Sequence, residues 1–246
     1  MVHARLSQQR ERLAIIQWTA RLGAVTAEAL ACREGTSVAS ARSRLVAAER
    51  DGLLSRRRPL AGQPALYTIT TAGIRCSGLQ GFAPCRVSPS NALHMTVCAG
   101  VAVALELRYP DHRVMGEREL KRAEAERGGL LASARLGAGR PGDPLLHRPD
   151  LVLWSTRSDR VRPVAVEVEL TVKAPRRLAE ICRAWARARH VAGVLYLAPP
   201  SVEPALERAI ERVQGAERIV VVPLGALAGA GGRTGRSFAR AIPVDS

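Results

Sequence analysis

Residues 164–173, VAVEVELTVK, alternate so strictly that one side of an extended chain carries Val164, Val166, Val168, Leu170 and Val172. The other side carries Ala165, Glu167, Glu169, Thr171 and Lys173. A period of two commits the stretch to a β-strand whose valine face needs a covering layer. Two readings of the acidic face stay open: a half-solvated strand with Glu167 and Glu169 in water, or the floor of a metal site.

The rest of the C-terminal half sets this strand in an α/β pattern. Strands are expected at 112–116, 151–154, 164–172, 193–197 and 218–223, with helices at 175–190 and 203–213 between the later ones. Residues 93–105 form an apolar helical stripe that should pack on the sheet. The segment AEAERGGLLASARLGAGRPGDP reads as a charged helical turn fading into a loop. In the helix APRRLAEICRAWARARHV, Ile181 and Trp185 are expected in the core. Its Arg176, Arg177, Arg183, Arg187 and Arg189 either grip a phosphate backbone or form a solvated face paired with Glu180.

The N-terminal half is helical and basic. Helices are expected at 7–22, from a Thr26 cap, and after Gly35, the third burying Val38, Ala41, Leu45 and Ala48 and presenting Ser40 and Ser43, with Arg42 and Arg44 beside them. LLSRRR, the turn PLAGQP and ALYTIT then read as a hairpin with Arg56, Arg57 and Arg58 at its start. The Pro/Gly/Ser-rich stretch at 79–91 marks a boundary. The expected organisation is 1–80 as a DNA-binding domain, 81–90 as a linker, 91–230 as an α/β domain and 231–246 as a basic mobile tail.

Charge indicates the partner class. The chain has 37 basic and 22 acidic residues, a net +15, and every basic residue except Lys121 and Lys173 is arginine. Before position 90 the ratio is 13 to 5. Guanidinium forks suit phosphate, so double-stranded DNA is the expected partner. Five cysteines with no CxxC spacing argue against a disulfide framework or zinc finger and for a reduced, cytoplasmic protein. The uninterrupted apolar run at 97–105 is far short of the roughly 20 residues that span a bilayer, so no membrane partner is expected. There is no P-loop lysine motif for an ATPase, and Tyr67, Tyr109 and Tyr196 are too scattered for a rolling-circle relaxase.

Two resemblances sharpen these expectations. Three helices and RDGLLSRRR…ALYTITTAG resemble the winged helix of many bacterial DNA-binding proteins, which implies that the third helix enters the major groove and wing arginines hold phosphates. HRPD followed by EVELTVK resembles the PD-(D/E)XK nuclease superfamily. The whole layout, from about residue 13 to 223, resembles the replication-relaxation family of actinobacterial plasmids and mobile elements. The implied fold is α/β: an N-terminal winged helix and a C-terminal mixed-sheet, nuclease-like domain. By position, Asp150 and Glu167 would hold Mg2+ or Mn2+, Glu117 would be an upstream acid ligand, and Glu169 fills the slot usually held by lysine. Lys173 would substitute for that lysine by reaching back, or pair with Glu169. Oxygen-only ligands favour these hard cations.

Three functions follow as expectations. The first is a DNA-binding accessory protein working with replication or conjugation proteins. The second is an active metal-dependent endonuclease with Asp150, Glu167, Glu169 and Lys173 as its catalytic set. The third is a repressor whose C-terminal domain only forms a homodimer. The lone histidines, His147 among them, are read as structural.

Overall fold

The computed structural model describes residues 2–140, 143–158 and 161–227, so the basic tail expected at 231–246 lies outside the described residues. The chain is mixed α/β and divides into two compact units, 1–103 and 104–246.

In the first unit, α1 (Val2–Leu22), α2 (Ala27–Glu34) and α3 (Val38–Arg50) precede β1 (Leu54–Arg57) and β2 (Leu66–Ile69). Thr26 Oγ1 accepts the Ala29 amide at 3.1 Å and caps α2, and Gly35 ends it at φ +63°, where a side chain would be strained. Ser37 then caps α3 by accepting from Ser40 N at 3.1 Å. The expected face of α3 is buried at Ala41, Leu45 and Ala48, while Val38, expected on it, is exposed at the first turn. The hairpin pairs Leu54 with Ile69 and Arg57 with Leu66, and a reciprocal backbone bridge between Val25 and Tyr67 adds a third edge.

Helix α4 (Thr71–Ser77) closes this unit against the hairpin. At Gly73 a Cβ would lie 2.2 Å from the Leu53 carbonyl oxygen and 2.8 Å from Ile69 Cγ1. That oxygen already accepts the Thr70 amide at 3.1 Å, so it cannot withdraw without breaking the turn.

Helix α5 (Pro89–Arg108) contains the division between the units. Its Ala99 and Val103 enter the core of the first unit with Ile16, Leu30 and Leu45. Counting only uninterrupted apolar residues underestimates it. With its Ser, Asn, His and Thr included, an 18-residue window reaches mean hydropathy 1.3, and by length and composition alone it is long and apolar enough to cross a bilayer. Ala92, Ala99, Val101, Ala102, Val103 and Leu105 are buried, 33% of that window, while Leu93 and Leu107 are exposed.

The second unit is built on a five-stranded sheet ordered β3 (His112–Gly116), β6 (Leu151–Ser155), β7 (Val164–Val168), β8 (Gly193–Ala198), β9 (Ile219–Pro223). The first three strands run antiparallel to their neighbours and the last three are mutually parallel. α7 (Pro175–Arg187) and α8 (Glu203–Arg212) bury Leu178, Ile181, Cys182, Trp185, Leu206 and Ile210 on one face of this sheet. The opposite face is also apolar and buried at Leu151, Leu153, Val164, Val166, Leu195 and Leu197.

Two expectations need correction. The segment read as a loop after α6 (Glu117–Arg127) is an antiparallel hairpin, β4 (Ala134–Arg140) and β5 (Asp143–His147). Register shifts between Arg135 and Gly137 and again before Arg140 break the alternation that would have announced it. The strand expected over 164–172 ends at Val168, because only the Glu169 amide still finds a ladder partner, Leu197 O at 3.0 Å, and Val172 stands exposed.

Gly73→Ala should therefore lower the unfolding free energy by about 1–3 kcal/mol, the usual cost of forcing atoms into a filled site. Urea denaturation would register this, and a stability equal to wild type would contradict the packing described here.

Candidate functional site

In the first unit the candidate DNA-contacting residues divide by what they already touch. Ser40, Ser43, Arg57 and Arg58 are exposed. Arg42 lies 3.7 Å from Glu28 and keeps more than half its side chain in solvent. Arg56 Nε lies 3.4 Å from Glu49. Arg44 differs from these: it is held between Glu34 and Glu11, with a 29% exposed side chain, so much of its charge is spent within the fold. Arg42 from α3 and Arg58 from the hairpin loop line one cavity of about 260 Å3, together with Glu28, Gln63 and Tyr67. Two guanidiniums from separate elements line one cavity with a single carboxylate, Glu28, which leaves a concave surface of net positive charge of the kind that binds a phosphate.

In the second unit the acidic residues do gather at one end of the sheet, but in a closed arrangement. The β6–β7 ladder ends at Leu151 opposite Val166. Just beyond it, Asp150 Oδ2 accepts the Val168 amide at 2.8 Å, and the Asp150 carbonyl accepts the Glu117 amide at 3.0 Å. Asp150 thus joins β7 to the start of α6. Glu117 itself is exposed.

Glu167 lies on the side of β7 that faces α7, with Ala165, and not on a solvated face. Its Oε1 lies 2.7 Å from His147 Nε2 and accepts the Trp185 indole N–H at 3.1 Å. The His147 and Trp185 rings meet edge to face at 5.7 Å. Trp185 is placed by the apolar stripe of α7, and His147 by the end of β5. Glu169 is buried beyond the strand end and paired with Lys173, the simpler of the two roles open to that lysine. Neither glutamate is the solvated residue that an alternating strand suggests.

Burial raises the pKa of Glu167, and the nearby His147 charge and hydrogen bond offset this only in part. For His147, burial disfavours the charged form, but the Glu167 carboxylate and the bond to it outweigh that and raise its pKa. Both partners therefore hold protons more tightly than free side chains do. Tyr196, in register with Glu167 on β8, is raised well above the usual phenol range by burial and then by the Glu167 charge. Burial and Glu167 push the Cys182 thiol up to about 11, which makes it an inert thiol rather than a nucleophile.

This donor set fits a Mg2+ or Mn2+ ion poorly as it stands. Asp150, Glu167 and Glu169 do not bring three ligand atoms within 4.8 Å of one another. Glu167 Oε1 is occupied by two donors, Glu169 by an ammonium, and Asp150 Oδ2 by a backbone amide. The residue that sequence reading missed is His147. Its one signal was its place three residues before Asp150 in HRPD; nothing in the spacing showed that the hairpin would bring it to Glu167.

The pH dependence follows from these directions. Because the folded pKa values of His147 and Glu167 are both raised, the native state binds more protons than the unfolded chain as pH climbs through their range. Their contribution is fully present below the unfolded values and is lost as pH rises through the folded ones. Urea midpoints of wild type should fall between about pH 5 and pH 8 more steeply than those of His147→Gln, which keeps a donor to Glu167 but cannot titrate there. Parallel profiles would show that the pair does not share a proton in this way. Comparison with known proteins finds no match among family models, curated proteins or solved structures, so functional assignment rests on the chain's own residues.

Proposed function

We propose that this chain is a DNA-binding accessory protein of the replication-relaxation type. It docks on duplex DNA through an N-terminal winged helix, and its C-terminal domain is a PD-(D/E)XK nuclease-like scaffold that does not cut. The observation that carries the reading is the cavity shared by Arg42 of α3 and Arg58 of the hairpin loop. In a winged helix the third helix enters the major groove and the wing follows the backbone, so a phosphate held between the two is the contact this arrangement supports. Capped α2 and α3 with a Gly35 turn, the hairpin after α3 and the Val25–Tyr67 bridge are consistent with that fold. The net charge of +15 supplies the long-range attraction.

The C-terminal part of the reading rests on the occupied lone pairs of Glu167, Glu169 and Asp150. Hydrolysis by a metal-bound water needs carboxylates free to ligate, and here one oxygen of each already accepts a hydrogen bond or ion pair within the fold. One observation favours the endonuclease alternative: Asp150 and Glu167 lie at the same end of the sheet, close enough for the Asp150 charge to raise the Glu167 pKa.

Arg42→Gln/Arg57→Gln/Arg58→Gln should weaken binding to duplex DNA and reduce the slope of log affinity against log salt by about 0.9 for each phosphate no longer held. Arg44→Gln should instead lower stability more than binding, since it leaves Glu34 and Glu11 without their shared cation. An unchanged salt slope in the triple variant would overturn the docking surface. Supercoiled plasmid incubated with Mg2+ or Mn2+ should stay supercoiled; metal-dependent nicking that disappears in Asp150→Ala/Glu167→Ala would establish the endonuclease instead.

A further inference from the structure

The second unit carries a cationic groove apart from its hairpin, sharing only Lys173 with the acidic cluster. It lies between the start of α7 and α8, has a volume of about 180 Å3, and is lined by Lys173, Pro175, Leu178, Arg208, Ala209 and Arg212. Its floor is apolar, with Leu178 and Ala209 buried, and its rim is positive.

The charge pattern of α8 is unusual for a helix stabilised from within. Such a helix places opposite charges four residues apart. Here Glu203, Glu207 and Glu211 follow one another at that spacing, and so do Arg208 and Arg212. Like charges thus recur at the four-residue spacing, Glu211 stands three residues from Arg208 without pairing with it, and Arg208 and Arg212 are exposed with no ion-pair partner among the described residues. Across the groove, α7 begins with Arg176 and Arg177, which pair with Glu180 on their own helix and do not line the groove, and Ala174 offers no side-chain cap. The positive charge that lines the groove is therefore that of Lys173, Arg208 and Arg212, and an anion seated there would meet two guanidiniums without an ion-pair partner among the described residues.

We propose that this groove is a second phosphate-binding surface, in which Arg208, Arg212 and Lys173 hold the backbone of duplex DNA. The proposal rests on the DNA-binding reading of the chain and extends it to the second unit. Lys173 is paired with Glu169, so it serves both the fold and the rim. The arginines are the binding groups proper, and their guanidinium forks match phosphate oxygens.

The test uses the full chain and a fluorescently labelled duplex oligonucleotide, with affinity measured by anisotropy across a salt series. Arg208→Gln/Arg212→Gln should keep the wild-type thermal midpoint, because both side chains are exposed, and should reduce the salt slope by about 1.8 if each holds one phosphate. Arg127→Gln/Arg157→Gln removes the same net charge elsewhere on this unit and should leave the slope near wild type; an equal loss there would reduce the effect to bulk charge and overturn the proposal. Arg42→Gln/Arg58→Gln separates the two surfaces. If only that variant loses slope, the groove is overturned and the winged-helix reading stands. If only the α8 variant loses slope, the groove stands and the winged-helix reading fails. Failure of the wild-type protein to bind duplex DNA would overturn both.

Discussion

A carboxylate buried beneath a helix costs several kcal/mol unless it is protonated or met by donors. The second unit is organised around meeting that condition at Glu167. The Trp185 indole reaches it from α7 and the His147 ring from β5, both on the same oxygen. Each donor fixes an element: Trp185 sets the rotation of α7 on the sheet, and His147 ties the β4–β5 hairpin to β7. Were the carboxylate in water, neither element would be so constrained. The raised pKa of His147 reflects this pairing, while that of Glu167 reflects its burial, which the pairing offsets only in part.

The hairpin that delivers His147 is itself anchored by a second buried acid. Glu124 Oε1 accepts the amides of Leu131, Ala132 and Ser133 at 3.0, 3.2 and 3.0 Å, and its Oε2 accepts the Ser133 hydroxyl at 2.7 Å. His190 Nε2 lies 2.9 Å from the Ser133 carbonyl oxygen. A turn with three amides aimed at one point would bind a free anion. Here the anion is a side chain of α6, which leaves a fixed entry into β4 rather than a ligand site.

Much of this architecture is legible in the sequence where one periodicity governs. The α3 face of Ala41, Leu45 and Ala48, the Thr26 cap, the core positions Ile181 and Trp185 and the order of the later strands all follow from local pattern. What is not legible depends on pairings distant in sequence. The β4–β5 hairpin hides because its bulges and glycines interrupt the period of two. The alternation at 164–168 identifies a strand but not which face is dry, since α7 covers the glutamate side while the valine side is buried as well. The convergence of Asp150, Glu167 and Glu169 on one sheet end was readable. Their commitment to an amide, two ring donors and an ammonium was not, because those partners come from β7 itself, β5, α7 and the chain beyond β7.

Arginine content alone cannot separate a binding surface from an internal tie, because the same fork serves both. Arg44 between Glu34 and Glu11, and Arg218, whose guanidinium donates to the Ala188 and Val191 carbonyl oxygens at 2.8 and 2.7 Å, are used inside the fold. An arginine already bound to a protein acceptor gives up that bond when it meets phosphate, so its net gain on binding is small. One held in water by its own helix exchanges only hydration and condensed counterions, and the counterions released from DNA add to the gain. That difference, more than the count of charges, is the ground on which Arg58, Arg208 and Arg212 are proposed as phosphate contacts, while Arg42 would have to give up its pairing with Glu28 to join them.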